Sequence, residues 1–367
     1  MNKFQYFLEY YNGEPLIIQL VWMVSCFLFL TVIILIIYLK FLRVRLRENE
    51  KITEKYTKDY ELLLITYLYA ETDENGVSLE RQSVINELEK GIENTFKRKI
   101  IVATFLKLGN EITGEMAESI HHLYSQTKLK KYALSKLKNR NWYIIARGIR
   151  ELTLFHVKDA HDQVVKHVNH SRREVRKEVQ LYLVNLFHFE GLNFLDDLQT
   201  PLSEWDQIQL LEELQKMEDQ QIPDISLWLK STNKYVVIFA LKLAEIYNQF
   251  GMKDVLIELI SHKDKKVRLE LIPVLSHLHV IEAKEIFKNN FNESSKDEQI
   301  EFFKLLENLI EPSDEPFIIE HIYNENFEVK YSALKLLKVL NTTKFENLEL
   351  TPPESDFVKI VEFIKNY

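Results

Sequence analysis

The longest uninterrupted apolar run in the chain lies near its start, from Leu16 to Leu39. Its 24 residues, LIIQLVWMVSCFLFLTVIILIIYL, carry no charge, and only Gln19, Ser25 and Thr31 are clearly polar. As a helix it would be about 36 Å long, which exceeds the roughly 30 Å of a bilayer's hydrocarbon core. The pattern therefore predicts one transmembrane helix over residues 16–39.

The charges on either side of this segment predict its direction. Lys3 is the only basic residue before it, and Glu14 and Pro15 stand where a cleaved signal peptide would be basic. Seven basic residues follow it, namely Lys40, Arg43, Arg45, Arg47, Lys51, Lys55 and Lys58. By the positive-inside rule, residues 1–15 face outward and the rest of the chain lies in the cytoplasm. The aromatic residues of this outer arm suit the membrane interface; they are Phe4, Tyr6, Phe7, Tyr10 and Tyr11.

A second pattern, a repeat of about 31 residues, fills the C-terminal two thirds. It starts at Ile144, Val175, Asp206, Val236, Val267, Glu298 and Val329, which we number repeats 1 to 7. Four residues after each start stand Gly148, Val179, Leu210, Ala240, Leu271, Phe302 and Ala333. Eight residues after it stand Leu152, Leu183, Leu214, Ala244, Leu275, Leu306 and Leu337. Apolar or small residues at i+4 and i+8 form one face of a helix, so each repeat contains a helix that packs on its neighbours.

Residues able to cap a helix stand three positions before most of these starts. The seven are Asn141, Arg172, Ser203, Asn233, Asp264, Ser295 and Asn326, and all but the arginine can accept an N-cap hydrogen bond. Amphipathic stretches such as residues 254–261 precede the capped turns, so each repeat is a pair of helices. A single pair cannot bury its apolar face, and stacked pairs can. The predicted fold is all-α: an N-terminal transmembrane helix followed by an α-α superhelix, or solenoid.

The remaining segments complete a domain plan. Residues 40–77 form a juxtamembrane stalk and helix, and residues 78–350 form the solenoid, with its regular units from about residue 127. Irregular helices at 83–91 and 94–108 precede those units and cap the membrane-facing end. Residues 351–367, in which Phe357, Ile360, Val361 and Ile364 follow two prolines, form a C-terminal capping helix.

Composition agrees with long helices and a reducing compartment. Eight glycines and eight prolines are few for 367 residues, which disfavours a fold of many strands and turns. The single cysteine, Cys26, cannot form an internal disulfide. Residues 141–367 hold 27 basic and 38 acidic residues, a net charge of −11, whereas residues 1–140 carry +3. Such acidic repeats do not favour binding to nucleic acid.

No motif predicts catalysis, a cofactor or a metal. The chain lacks a phosphate-binding loop, a dinucleotide fingerprint and a nucleophile elbow. His167 and His170 stand three residues apart, but no further ligand completes a metal site, and a polar turn between helices is the simpler interpretation. Trp142, Trp205 and Trp228 fall near helix starts and are expected in the core or at its rim. We therefore expect no enzyme activity.

A basic cluster is the one candidate binding surface that the sequence offers. Residues 128–150 contain eight basic residues and no acidic one, and residues 172–177 add four more basic residues. The set is Lys128, Lys130, Lys131, Lys136, Lys138, Arg140, Arg147, Arg150, Arg172, Arg173, Arg176 and Lys177. It could contact lipid headgroups, an acidic protein or a small anion, or it could simply be a solvated surface balanced by the acidic repeats.

The repeat sequences resemble a known family. Residues 262–278, HKDKKVRLELIPVLSHL, and residues 324–340, NENFEVKYSALKLLKVL, are similar to HEAT repeats. Asp264, Val267 and Arg268 match the family's Asp and Val-Arg positions, and Val175 and Arg176 match in part. Repeats 3 and 6 start with Asp206 and Glu298 instead of valine and rest mainly on spacing. The resemblance implies an architecture and no particular activity.

Residues 110–154, with the apolar segment before them, also resemble bacterial inner-membrane HEAT proteins, some of which are encoded beside membrane glycosyltransferases. That resemblance implies a single-pass inner-membrane scaffold or adaptor that binds membrane-associated proteins and assists surface polysaccharide synthesis or export. Two alternatives stay open. One is a sensor of an anionic small molecule, and the other is an enzyme, because some similar solenoids are DNA glycosylases or pigment lyases.

Overall fold

The computed structural model describes residues 15–70, 79–216, 222–348 and 356–366. Within these ranges all regular secondary structure is helical, consisting of α-helices and shorter 3₁₀ helices, with no strand. Residues 1–14 of the predicted outer arm, the loop at residues 71–77 and the prolines at 352 and 353 lie outside the described residues. The backbone falls into two compact units, one of residues 1–133 with 154–157 and the other of residues 134–153 with 158–367.

The α-helices are numbered in chain order. The first five are α1 (Leu16–Tyr69), α2 (Leu79–Glu93), α3 (Thr95–Glu111), α4 (Glu115–Gln126) and α5 (Leu129–Leu137). The next seven are α6 (Trp142–Leu154), α7 (His161–Val164), α8 (Arg173–Phe187), α9 (Glu204–Gln215), α10 (Ser226–Leu229), α11 (Lys234–Ile246) and α12 (Lys253–Glu258). The last seven are α13 (Lys265–His277), α14 (Ala283–Asn289), α15 (Lys296–Leu309), α16 (Glu315–His321), α17 (Phe327–Leu340), α18 (Thr342–Glu346) and α19 (Asp356–Asn366).

Helix α1 joins the predicted membrane segment, the charged stalk and the following apolar helix into one continuous helix of 54 residues. Its apolar segment is exposed, and only its C-terminal end is buried, through Tyr60, Leu64 and Tyr67. That end packs on α2, α3 and α4. Among the described residues, α1 is the one helix long and apolar enough to cross a membrane, with a mean hydropathy of 3.0 over its most apolar window.

Helices α2 to α4 build the core of the first unit around Phe105, Tyr124 and Phe155. The rings of Tyr124 and Phe155 stack with centroids 3.9 Å apart, and Phe105 meets both rings edge-on. Gly91 permits the close approach of α1, because a Cβ there would lie 2.6 Å from the Tyr60 hydroxyl. Close aromatic packing therefore holds the separate segment 154–157 against helices α3 and α4 of the first unit.

Helix α3, which the sequence pattern predicts to be irregular, begins in the same way as the long helices of the repeats. Asn94 accepts hydrogen bonds from the backbone N–H groups of Phe96 and Lys97. Arg98 donates to the Ile92 carbonyl at 2.9 Å, six residues back. In the second unit Arg176 and Arg268 donate to the carbonyls of His170 and His262, also six residues back. The sequence did not indicate this similarity, because Lys97 precedes Arg98 where the matching repeats have a valine before the arginine.

The second unit confirms the predicted helices of all seven repeats. Helices α6, α8, α9, α11, α13, α15 and α17 each begin two residues before a predicted start. Every position four and eight residues after a start is buried, and at the starts themselves only Ile144 is not. Successive helices of this set pack on each other, as α11 does on α13, α13 on α15 and α15 on α17. The other helix of each pair is shorter and is often completed by a 3₁₀ turn.

Most repeats start their long helix with the same polar turn. The side chain of the residue five positions before the start accepts a hydrogen bond from the backbone N–H of the residue three positions before the start. The acceptors are Asn139, His170, Ser231, His262 and Asn324, at distances of 2.9, 3.0, 3.2, 3.0 and 2.9 Å. This bond occupies a donor that the helix itself cannot use and orients the chain into the first turn. We call these five the apolar-start repeats.

Repeats 3 and 6 lack that acceptor, since Pro201 and Glu293 stand in its place. There the N–H three positions before the start donates to the start residue instead. Ser203 donates to Asp206 at 3.3 Å, and Ser295 donates to Glu298 at 2.9 Å. Both serines form capping boxes with these carboxylates. We call these two the acid-start repeats; they are regular members of the stack.

Five of the six predicted N-cap residues act as caps. Asn233, Asp264 and Asn326 accept backbone N–H bonds from the residue two positions on, and Ser203 and Ser295 form the capping boxes. At the far end, α19 packs on α17 with Val361 fully buried. The C-terminal helix thus covers the last repeat, as its apolar pattern predicts.

Candidate interaction surfaces

The structure places the predicted basic residues in both units. In the first unit, Lys128 lies 3.4 Å from Glu89 and 3.7 Å from Glu93, so its charge is partly balanced. Lys130 is half-buried and Lys131 is exposed. Lys128 and Lys131 are therefore the two exposed basic residues of this group.

In the second unit, three of the basic residues hold the fold together. Lys136 forms an ion pair with Glu151, which is 2 % exposed. Arg173 binds the buried Asp206 through two nitrogens, at 3.2 and 2.9 Å. Arg176 donates to the carbonyls of His170 and Ser171 at 2.8 and 3.2 Å. These side chains are committed to neighbouring groups, which the sequence alone did not indicate.

The other basic residues of this unit lie near the surface. Arg150 approaches Glu178 at 3.7 Å, and Lys177 is half-buried. Arg150 is exposed, and so are four others: Lys138, Arg140, Arg147 and Arg172. A positive surface therefore persists in repeats 1 and 2, but it is smaller than the twelve residues of the prediction.

A line of ion pairs runs along the edge where the long helices begin. Lys234 binds Asp264 at 2.8 Å, and Lys265 binds Asp297, so each pair joins consecutive repeats. Lys266 binds Glu204 at 2.6 Å, which joins repeats two apart. The Lys266 hydrogen bond lowers the pKa of Glu204, and the same bond raises the pKa of Lys266. Only a strongly curved stack brings these side chains together, so this edge is concave between repeats 3 and 5.

Exposed aromatic side chains accompany this edge. Trp205 follows Glu204 and is 59 % exposed, and Tyr143 occupies the same repeat position two repeats earlier with 56 % exposed. The expectation of a core or rim position holds for Trp228, which is buried and donates to Asp196 at 2.7 Å. For Trp205 the expectation is wrong, because its position one residue before the start points away from the buried face.

A groove of about 740 Å³ lies among α11, α13 and α15. Asn248 and His277 meet across it at 2.8 Å, and Asn308 donates to Ser276 at 3.0 Å. Pro273 lines it from within α13, where it cannot donate the hydrogen bond that the Leu269 carbonyl would receive in a regular helix.

The groove combines carboxylates with an exposed aromatic ring. Glu245 and Glu301 contribute negative charge, and Lys304 binds Glu301 at 2.7 Å. Phe250, also in the lining, is 61 % exposed. This groove was not predicted from the sequence; the only signals for it there are the proline inside a helical repeat and the polar residues at the helix ends. Asn248 and His279 there have positive φ angles of 50° and 54°.

The histidines that the sequence singled out serve the fold. His170 accepts the turn bond described above, and the rings of His167 and His170 lie 6.0 Å apart. Burial, with the nearby His170, lowers the pKa of His167. Across the described ranges, no group of three or more His, Cys, Asp or Glu residues could hold a metal ion.

The stacked helix pairs define the second unit as a HEAT-like helical solenoid. No protein-family model and no curated protein matches the chain. Among solved structures, an engineered protein is similar over 84 % of this chain and 98 % of its own, with 13 % identity and a TM-score of 0.34.

Two natural proteins are also similar to this chain. A chain in the complex of CpcE and CpcF of phycocyanin lyase from Nostoc sp. PCC7120 has 12 % identity and a TM-score of 0.25, over 65 % of this chain and 93 % of its own. A chain in the complex of Kap95p with RanGDP has 12 % identity and a TM-score of 0.36. This last match covers 86 % of the present chain and 46 % of that one.

Proposed function

We propose that the protein is a membrane-tethered scaffold that binds other proteins and catalyses no reaction itself. The observation that carries the proposal is the groove of about 740 Å³ among three consecutive long helices. A stack of repeats offers a long surface, and exposed aromatic side chains such as Phe250 and Trp205 are typical anchors of protein interfaces.

The exposed apolar segment of α1 supports the tether. An exposed apolar run of this length is unfavourable in water, and a bilayer would bury it. In the proposed orientation the N-terminus lies outside the cell inner membrane and the repeats lie in the cytoplasm. Confinement at the membrane raises the effective concentration of partners there. On the resemblance described above, we further propose a membrane glycosyltransferase for surface polysaccharide as the partner.

Site-specific photo-crosslinking in intact cells tests the protein-binding function. A crosslinking aromatic residue would replace Phe250 in the groove or Trp205 at the concave edge of the second unit. The control replaces Leu227 on the short helix α10, which is 73 % exposed. We expect one protein to be captured from Phe250 and not from Leu227. Capture of nothing above the control from both test positions would contradict a scaffold.

The basic surface is tested separately, and the structure restricts the choice of residues. Reversing Lys136 would break its pair with the buried Glu151 and so would test folding instead of binding. The informative variant changes Lys138, Arg140, Arg147 and Arg172 to glutamate, because all four are exposed. Loss of the crosslinked partner in this variant would place a second contact in repeats 1 and 2. Its retention would show that these four residues are not needed for docking and would leave the groove and the edge at Trp205 as the docking surfaces.

A further inference from the structure

A shallow trough runs along α1 immediately after the apolar segment. It has a volume of about 620 Å³, and its apolar floor includes Ile36, Leu39 and Leu46. Ile36 and Leu39 are 58 % and 52 % exposed. The same surface therefore continues from the apolar segment into the charged part of the helix.

Basic side chains line this trough on one side of the helix. Lys40, Arg43 and Arg47 belong to its lining, and Glu50 closes its far end. At about 100° per residue, the three basic residues fall within an arc of about 60°. Arg45 lies at the same depth but about 140–160° away around the helix, and it does not line the trough.

The position of these residues along the helix fits a membrane interface. From Lys40 to Arg47 the helix rises about 10 Å, and the headgroup layer on each side of a bilayer is roughly 5–8 Å thick. Tyr60, Leu64 and Tyr67, which pack on helices α2 to α4, lie on the opposite side of the helix from Lys40 and Arg47, at about 180–240° from Lys40. The packed helices α2 to α4 therefore leave the basic side open.

We propose that this trough binds an anionic phospholipid. Arg43, Lys40 and Arg47 hold the lipid phosphate, since arginine donates paired hydrogen bonds to phosphate and lysine adds a point charge. Ile36 and Leu39 pack against the first part of an acyl chain. Glu50 repels an anion from the far end and so places the phosphate near Lys40 and Arg43. The site rests on the membrane tether proposed above.

The test uses the full chain in nanodiscs that contain phosphatidylcholine and phosphatidylglycerol in equal amounts. The chain is extracted gently, and the lipids that remain bound to it are quantified by mass spectrometry. We expect phosphatidylglycerol to be enriched over phosphatidylcholine, and Arg43→Gln to lower that enrichment about fivefold. Arg45→Gln is the matched control, since it removes the same charge at the same depth outside the trough, and it should leave most of the enrichment.

The other outcomes separate the site from its alternatives. Equal losses in Arg43→Gln and Arg45→Gln would show a diffuse electrostatic attraction and overturn a built site. A chain that inserts into the nanodiscs but shows no enrichment overturns the lipid site and leaves the tethered scaffold standing. A chain that does not insert overturns the tether itself and the lipid site with it. Circular dichroism of each variant confirms that the helices are retained.

Discussion

The apolar-start and acid-start repeats reach the same backbone geometry by different chemistry. In repeat 5, Val267 is buried, His262 accepts the N–H of Asp264, and Arg268 donates to the His262 carbonyl. In repeat 6, Glu298 takes over the acceptor's role, and Gln299 donates to the Ser294 carbonyl where repeat 5 uses arginine. The buried carboxylate is compensated from the preceding repeat, by Arg268 at 2.5 Å.

Repeat 3 makes the same kinds of contact as repeat 6. Asp206 is buried at the start position, Arg173 of repeat 2 binds it, and Gln207 donates to the Leu202 carbonyl at 3.2 Å. Each of these two start-position carboxylates is reached both by a cap serine and by an arginine from the repeat before it, which offsets the cost of burying its charge. An acid-start repeat therefore depends on its neighbour for a cation, whereas an apolar-start repeat orders its turn with its own residues.

The largest expected effect comes from placing a carboxylate in an apolar-start repeat. Val236→Asp should destabilise helix α11 by about 3–5 kcal/mol, because the buried charge would have no cation. Arg173 lies two residues before the start of repeat 2 and binds Asp206 of repeat 3 from there. The equivalent position in repeat 3 is Glu204, which would repel an aspartate at the start of repeat 4. Amide hydrogen exchange of α11 in the full chain measures the change.

The control for this prediction is Val236→Ala, which removes apolar contact without adding charge. It should cost about 2 kcal/mol. If the aspartate variant is no less stable than the alanine variant, a buried carboxylate needs no partner at this position, and the distinction between the two classes of repeat fails.

The next effect comes from removing the carboxylate of an acid-start repeat. Glu298→Ala should destabilise helix α15 by about 2–3 kcal/mol, because it removes the capping box at Ser295 and the partner of Arg268. Hydrogen exchange of α15 is the measurement. Glu301→Ala, which breaks only an exposed pair with Lys304, should cost less than about 0.5 kcal/mol. Similar costs for both variants would show that Glu298 is no more than a surface charge.

A smaller effect is expected from converting repeat 6 into an apolar-start repeat. Adding Glu293→Asn to Glu298→Val supplies the acceptor that repeat 6 lacks, and it should recover about 0.5–1.5 kcal/mol relative to Glu298→Val alone. In the natural sequence Glu293→Asn should change little, since the Ser295 N–H is already bonded. Hydrogen exchange of α15 measures the stability of the two single variants and the double variant. If the effects of Glu293→Asn and Glu298→Val simply add, residues 293 and 298 do not substitute for each other as acceptors of the Ser295 N–H.

The smallest effect is a pH dependence confined to the acid-start repeats. Burial alone would raise the pKa values of Asp206 and Glu298, but hydrogen bonds from Arg173 or Arg268 and from the cap serines hold both pKa values below their ordinary range. The unfolded chain therefore binds protons at a higher pH than the folded one. The stability that these carboxylates contribute is complete above their ordinary pKa values and is lost as the pH falls through the lowered ones.

Thermal melting of the full chain in detergent at several pH values below about 5 measures this dependence. Glu298→Val should melt with a shallower dependence on pH than the natural sequence, and Val329→Ala, in an apolar-start repeat, should keep the natural slope. An unchanged slope in Glu298→Val would assign the acid sensitivity to other carboxylates, such as the buried Asp314, whose pKa is also lowered despite its burial, by hydrogen bonds from Lys288 and Lys284.

The sequence predicted the long helices well because their evidence is local. Start positions such as Val267 and Val329 are followed by apolar residues at helical spacing and preceded by a capping residue. It did not predict the structural roles of Lys136 and Arg173 within the basic cluster. Their partners Glu151 and Asp206 lie 15 and 33 residues away, and no pattern of spacing distinguishes a bonded basic residue from an exposed one.

The apolar segment, the seven helix starts and the overall charge can be read from the sequence alone, because helical periodicity and capping act within one or two turns of chain and charge is a matter of composition. The tertiary structure decided which charges remain exposed, that Trp205 lies outside the core, and that Lys266 meets Glu204 across an intervening repeat. It also formed the groove around Pro273. These features depend on the curvature of the stack, which arises from the packing of many side chains together and is not encoded at any single position.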